Sequence, residues 1–194
     1  DATIQGHGLA LAGLIIGYVV LGLSITLSVP ILLPLLLAVR HTYQLEAVYE
    51  AVELKRFPLD NTEGLMTQTG IQIDKQISSD GNGALRIEAK EPTTIRLFET
   101  GDIDIENARL IYQAKVRTEN VEGRVYLEMW CHFAGRGEFF SRDLMTPLTG
   151  TTEWTLEETP FFLKAGENPD NVRLNLVIDG KGTAWIDDIQ LLKA

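Results

Sequence analysis

The chain has 194 residues, one cysteine and a formal net charge of −10 at pH 7, from 27 acidic and 17 basic side chains. This charge argues against electrostatic binding to nucleic acid or to anionic lipid headgroups. The single cysteine, Cys131, excludes an internal disulfide and any metal site built from several cysteines. We therefore expect an acidic protein without disulfide cross-links and without a nucleic-acid partner.

The chain begins with an apolar segment that is long enough to cross a membrane. Apart from Asp1, residues 1–39 contain no Asp, Glu, Lys or Arg, and about 20 apolar helical residues span a bilayer core. We predict a single-pass transmembrane anchor over residues 1–39, with the spanning helix at residues 9–29 and a kink at Pro30 and Pro34. Because no methionine or basic region comes first, we also expect residues before Asp1.

Three glycines in this segment predict a helix-packing surface. Gly13 and Gly17 form a GxxxG motif, and Gly22 follows. Such small residues let helices approach closely in lipid, although glycine is also common in membrane helices in general. The stretch "GHGLALAGLIIGYVVLGL" resembles the glycine-rich helix of a small bacterial membrane domain that is usually built as a helical pair. That resemblance implies a further helix before this one.

Residues 40–59 are predicted to connect the anchor to a folded domain. Roughly helical spacing favours a short juxtamembrane helix up to residue 57, and it rests on Leu45, Val48, Tyr49, Val52 and Leu54. The turn-forming stretch "FPLDNTEG" then ends it. Such a helix could pack on its own domain or bind a partner protein.

From residue 60 to residue 194 the pattern changes to a period of two. The stretches "GALRIEA", "ARLIYQAKVRT", "RVYLEMWCHF", "VRLNLVIDG" and "AWIDDIQLL" are typical of strands, and Gly-, Asp- and Asn-rich turns separate them. Several short strands at this spacing predict a mainly β domain, an antiparallel β-sandwich of the jelly-roll type.

The same region resembles the galactose-binding-like jelly rolls that include many carbohydrate-binding modules. The resemblance rests on "ISSDGNGALRIEA", on "GTTEWTLEETPFFLKAGENPDNVRLNLVIDGKG" and on the closing strand "TAWIDDIQLLK". It implies a sandwich fold more directly than a function, because this fold includes sugar-binding, adhesion and spacer modules alike.

Alternation along two strands predicts one surface of mixed aromatic and polar side chains. The core side of the first strand would carry Val125, Leu127, Met129, Cys131 and Phe133. If the two strands are neighbours, the opposite side would bring together Tyr126, Glu128, Trp130, His132, Arg173 and Asn175. In the resembled modules such a surface binds sugars. Aromatic and Arg residues also dominate protein interfaces, so a protein partner or plain packing remains an alternative.

The resemblance also implies a structural calcium ion, although no cofactor is required. Its ligands would include Asp187 or Asp188 of the last strand, with Asp60 and Asn61 near the first strand. Calcium takes several oxygen ligands, and the sequence has no contiguous calcium loop. The alternative is that the inward-facing Asp caps a turn by accepting backbone hydrogen bonds.

No residue pattern predicts catalysis. The three histidines lack metal-ligand spacing, Ser141 has no G-x-S-x-G motif around it, and no two carboxylates are singled out by spacing. We therefore expect a protein that is not an enzyme.

The first hypothesis is a membrane-anchored accessory subunit, with membrane lipid and membrane-protein subunits as partners. Its alternative is an anchored module that binds a glycan or the cell wall. Arg40, Lys55 and Arg56 favour a cytoplasmic β domain. The resembled modules are mostly secreted, and on that ground we expect the extracytoplasmic side.

Overall fold

A computed structural model describes residues 51–101 and 103–194. The predicted membrane helix, its three glycines (Gly13, Gly17 and Gly22) and the first part of the predicted juxtamembrane helix lie outside the described residues. Within the described ranges, no helix is long and apolar enough to cross a membrane.

The described part of the chain consists of strands joined by turns and loops. The strands are β1 Val52–Phe57, β2 Ile71–Asp74, β3 Ala84–Ala89, β4 Thr93–Gly101, β5 Ala108–Phe133, β6 Gly137–Arg142, β7 Leu148–Leu163 and β8 Asn171–Lys193. All the strand pairs are antiparallel. The prediction of a mainly β, antiparallel domain is therefore confirmed.

Two long strands, β5 and β8, pair with each other and belong to both layers of a sandwich. Residues 124–132 of β5 and 171–179 of β8 lie between β6 and β4, and we call these four strand segments the front layer. The other ends of β5 and β8 lie between β7 on one side and β1 and β3 on the other, with β2 beyond β3. We call this set the back layer.

The core lies between the two layers. In the front layer, the predicted alternation holds: Leu127, Met129 and Leu174 are buried on one side of the sheet. Leu85, Ile87 and other side chains of the back layer join them in one hydrophobic cluster. Period-two alternation thus directs one face of each layer inward and the other outward.

Glycines at one place let β5 and β8 pass from one layer to the other. Gly123 and Gly180 are paired, with φ angles of 123° and 153°. A Cβ on Gly123 would lie 2.1 Å from the carbonyl oxygen of Asp179, and one on Gly180 would lie 1.9 Å from that of Glu122. The stretches "TENVEG" and "DGKGT" are among the turn-like segments that the sequence pattern predicts between strands. They instead lie within β5 and β8, because the two bends face each other and the pairing continues through them.

The predicted juxtamembrane helix is wrong for Val52–Phe57, which forms β1. This strand pairs with the last five residues of β8, and Phe57 is buried with only 6% of its surface exposed. Pairing with a distant strand outweighs the local helical spacing, since strand formation depends strongly on cross-strand packing. β1 thus lies before the domain start that was predicted at residue 60.

Candidate functional site

The six residues predicted to share a surface lie on one side of the front layer. They occupy neighbouring positions: Glu128 pairs with Asn175 across β5 and β8, and Trp130 pairs with Arg173. The core residues of the same strands point the other way. We call this outward side the front face. Beyond the pair of Tyr126 and Val177, it has three rows of side chains that run across the strands. The rows are Arg96, Asn175, Glu128 and Arg142; then Glu99, Arg173, Trp130 and Phe140; then Asn171, His132 and Glu138.

A buried carboxylate lies at the centre of the front face. Glu128 is 9% exposed and Asn175 is 3% exposed. Oε1 of Glu128 accepts a hydrogen bond from Nε1 of Trp130 at 2.7 Å and another from Nδ2 of Asn175 at 3.0 Å. Through the first of these hydrogen bonds, Glu128 holds the indole of Trp130 in one orientation.

An aromatic pair and two arginines surround this centre. The rings of Trp130 and Phe140 have centroids 4.9 Å apart and are tilted by 41°. Phe140 is 46% exposed. The guanidinium of Arg173 lies 5.6 Å from the Trp130 ring and also contacts Glu138 at 3.3 Å. The guanidinium of Arg142 lies 4.6 Å from the Phe140 ring.

The predicted residues differ in how accessible they are. Tyr126, Glu128 and Asn175 are buried and form the floor of the front face, whereas Trp130, His132 and Arg173 are partly exposed. Nδ1 of His132 contacts Oδ1 of Asp170, whose backbone N–H in turn donates to the carbonyl of His132. His132 therefore anchors the loop that leads into β8.

Sequence reasoning missed Phe140, Arg142 and Arg96. The first two lie on β6, which follows the turn after β5 and pairs with it so that Phe140 faces Trp130. The hairpin turn "AGRG" carries the signal for this pairing, because the turn sets the register of the two strands. Arg96 lies on β4 beside β8, which is far away in the sequence, and no local pattern predicts that pairing.

The residues proposed as calcium ligands have other partners in the structure. Oδ2 of Asp187 accepts the backbone N–H of Ser79 at 2.9 Å, as a turn-capping Asp does. Asp188 forms ion pairs with Arg56 and Lys115. Within the residues that the structure describes, no cluster of three or more His, Cys, Asp or Glu side chains could hold a metal ion.

The region near Asp60 and Asn61 already contains a cation. Nζ of Lys75 donates to the carbonyl oxygens of Asp60 and Asn82, at 2.9 and 3.0 Å. Oδ1 of Asn61 accepts the backbone N–H of Glu63. These contacts compete with calcium for the same oxygens, and calcium binding stays a prediction.

Two other titratable side chains, Cys131 and Glu157, are buried. Cys131 is fully buried, and burial raises the pKa of its thiol to about 12. It is therefore a small core side chain, as expected, rather than a nucleophile. Glu157 on β7 is also buried, which raises its pKa to about 7, with a further contribution from the nearby charge of Asp143.

Comparison with known proteins identifies the type of fold. No protein-family model matches the chain, and no curated protein matches it. The solved CBM22-1–GH10 modules of endo-1,4-β-D-xylanase 10B from Clostridium thermocellum, complexed with xylohexaose, align with a TM-score of 0.54 and 10% identity. This alignment covers 74% of the present chain and 28% of that chain.

Two further structures give similar values. The CBM22-1–CBM22-2 tandem domain from Paenibacillus barcinonensis aligns with a TM-score of 0.52 and 15% identity, over 77% of the present chain and 47% of that chain. A xylan-binding domain from CBM22 aligns with a TM-score of 0.50 and 10% identity, over 73% and 95%. At these identities the likeness is one of fold: the described residues form a β-sandwich similar to that of carbohydrate-binding modules.

Proposed function

We propose that this protein is a carbohydrate-binding module without catalytic activity, anchored to a membrane by residues 1–39, whose front face binds a polysaccharide outside the cytoplasm. The observation that carries the proposal is the pair of Trp130 and the exposed Phe140, surrounded by polar side chains. The apolar N-terminal segment supports the anchor. The secreted nature of the resembled modules supports the location.

The front face combines the two kinds of contact that a sugar ring requires. The C–H groups of a pyranose ring can pack on an aromatic ring, and its hydroxyls need hydrogen-bonding partners. Phe140 offers exposed aromatic surface, and Arg173, Glu138 and His132 lie in the adjoining positions. Since Glu128 already orients Trp130, little conformational entropy would be lost when a ligand binds.

The carboxylates of the front face favour recognition over hydrolysis. Glu128 is buried and accepts hydrogen bonds from Trp130 and Asn175. Glu138 contacts Arg173, and Glu99 accepts a hydrogen bond from Asn171. Glycosidases need one carboxyl to donate a proton and a second one placed to assist it. On the front face each carboxylate instead positions a neighbouring side chain.

The test is direct binding by the purified full chain in mild detergent. Two of the similar structures are described as a xylan-binding domain and as a xylohexaose complex, so xylohexaose and xylan are the first probes. We expect Phe140→Ala to weaken binding by about tenfold, because it removes the exposed ring. Trp130→Phe, which removes only the indole N–H and some ring area, should weaken it less.

Phe162→Ala is the matched control. Phe162 is 71% exposed but lies on β7, in the back layer. The Phe162→Ala variant should leave the affinity for xylohexaose and xylan unchanged. If Phe140→Ala and Phe162→Ala behave alike, or if a panel of neutral and charged polysaccharides shows no binding, the proposal fails.

The second candidate is a structural role in a membrane complex. Phe139, Leu144 and Met145 are exposed at the outer strand β6 and in the loop after it, with Met145 92% exposed. Exposed apolar side chains at a sheet edge are typical of protein contacts. Extraction in mild detergent followed by a native gel would reveal stoichiometric partners. Replacing Gly13 and Gly17 with Leu should then release these partner proteins. An unchanged complex would contradict the packing role of the two glycines.

A further inference from the structure

Arginines stacked on aromatic rings occur five times in the described part of the chain. They are Arg86 and Arg117 on Trp185, Arg136 on Phe133, Arg142 on Phe140 and Arg173 on Trp130. Four of them also contact a carboxylate. These ion pairs are Arg86–Glu88, Arg117–Glu153, Arg136–Glu167 and Arg173–Glu138. Among the residues that the structure describes, Arg142 is the one stacked arginine without such a partner.

A shortage of carboxylates does not explain this difference. The protein has 27 acidic side chains against 17 basic ones. The acid next to Arg142 in the sequence, Asp143, is committed elsewhere: it accepts hydrogen bonds from the hydroxyl of Thr146 at 2.6 Å and from the backbone N–H of Met145 at 2.8 Å. Arg142 thus remains exposed and unpaired within the described residues.

Stacking prepares the guanidinium of Arg142 to bind an anion. At 4.6 Å from the centroid of Phe140, it is the closest of the five arginines to its ring. The fork of N–H groups on a guanidinium matches the two oxygens of a carboxylate. Because the ring limits the rotamers of the arginine, less entropy is lost on binding.

A second unpaired arginine lies in the same row. Arg96 on β4 pairs in register with Asn175 on β8. Asn175 pairs with Glu128 on β5, and Glu128 pairs with Arg142 on β6. Arg96 is exposed and likewise has no carboxylate partner in the described ranges. Three strand spacings separate the Cα atoms of Arg96 and Arg142, which is about 14 Å. The buried Glu128 lies between them and is already hydrogen-bonded.

We propose that Arg142 is the anion-binding residue of the front face and that the polysaccharide bound there is acidic, with the carboxylate of a uronic acid residue as the partner of Arg142. Arg96 lies where it would bind a second carboxylate further along the same chain. This inference rests on the proposed function and adds the chemical class of the ligand.

The test compares two polymers that differ only in their carboxylates: glucuronoxylan, and the same polymer after chemical reduction of its carboxyl groups. The purified full chain in mild detergent should bind glucuronoxylan about tenfold more tightly than the reduced polymer. Arg142→Gln should remove most of this difference, because only the second contact at Arg96 remains. Arg142→Lys should keep part of it, since lysine retains the charge but not the paired N–H groups.

Arg117→Gln is the matched control, because Arg117 is also stacked on an aromatic ring but belongs to the back layer. It should preserve the full difference between the two polymers. Equal binding of both polymers by the wild-type chain, or an undiminished preference in Arg142→Gln, would overturn the inference while leaving carbohydrate binding intact. If neither polymer nor any neutral one binds, the proposed function itself fails.

A sulfated polymer separates specific recognition from general charge attraction. Dextran sulfate carries more charge than glucuronoxylan but no carboxylate. We expect it to bind more weakly at 200 mM salt, where exposed charges are screened. The carboxylate site is refuted if dextran sulfate binds as tightly as glucuronoxylan and if Arg117→Gln weakens the binding of dextran sulfate as much as Arg142→Gln does.

Discussion

The ring of Phe57 in β1 stacks on the ring of Phe98 in β4, with the centroids 4.7 Å apart and the planes at 23°. β1 belongs to the back layer and β4 to the front layer, so the contact joins the two layers across the core. Both side chains are 6% exposed. A segment that local spacing assigns to a helix before the domain is therefore part of the domain's own core.

This contact predicts where the folded unit begins. A chain of residues 51–194 should fold cooperatively, whereas one of residues 58–194 should be less stable by at least about 3 kcal/mol, because it loses the core ring of Phe57 and the pairing of β1. Urea unfolding followed by circular dichroism measures both. Val52→Ala, at a 59% exposed position of the same strand, is the control and should have little effect. Equal unfolding midpoints for the two chains would contradict the assignment.

Glu128 should matter more for stability than an acidic neighbour on the same face. Glu128→Ala leaves the donors of Trp130 and Asn175 without their acceptor in a buried place, which should lower the free energy of unfolding by about 2–3 kcal/mol. Glu138→Ala removes an exposed partner of Arg173 and should cost less than about 1 kcal/mol. Urea unfolding of residues 51–194 compares the two variants. Similar losses would show that Glu128 does not hold the indole.

The paired glycines at the bend should not tolerate a side chain. Gly180→Ala would place a Cβ 1.9 Å from the carbonyl oxygen of Glu122, so β5 and β8 would have to separate. We expect a loss of more than about 4 kcal/mol or failure to fold. Gly135→Ala is the control: its φ is also positive, at 72°, but its Cβ would meet no atom within 4 Å. It should cost only about 1–2 kcal/mol for the strained backbone, measured by thermal unfolding.

Glu157 should make the domain less stable as the pH rises. Burial raises its folded-state pKa from 4.5 to about 7, so between these values the unfolded chain releases the proton and the folded chain retains it. The free energy of unfolding therefore falls from about pH 4.5 to pH 7, by up to about 3 kcal/mol, and the loss is complete above that range. Below about pH 4.5 the group no longer changes the free energy of unfolding with pH, since Glu157 is protonated in both the folded and the unfolded chain.

Glu157→Gln tests this sign. Its stability relative to the wild type should increase from pH 5 to pH 8, as measured by urea unfolding at each pH. Glu158→Gln, at the exposed neighbouring position, should change nothing across this range. A constant difference between Glu157→Gln and the wild type at all pH values would mean that Glu157 does not titrate in this interval.

Part of the front face was predictable because side chains alternate along a strand. Once "RVYLEMWCHF" and "VRLNLVIDG" are assigned as neighbouring strands, Trp130, Glu128 and Arg173 must share a side, opposite Leu127 and Met129. Whether a side chain on that side forms the floor or remains accessible depends on its neighbours from other strands. That is why Tyr126 and Asn175 proved to be buried.

The sequence by itself determined the β class of the domain and which side chains of each strand point inward or outward, because these follow from a local period of two. Only the tertiary structure decided the rest. It pairs Val52–Phe57 with β8, continues β5 and β8 through Gly123 and Gly180, and places Phe140, Arg142 and Arg96 beside the predicted residues. These features arise from pairing between segments that are distant in sequence, and local propensity does not encode such pairing.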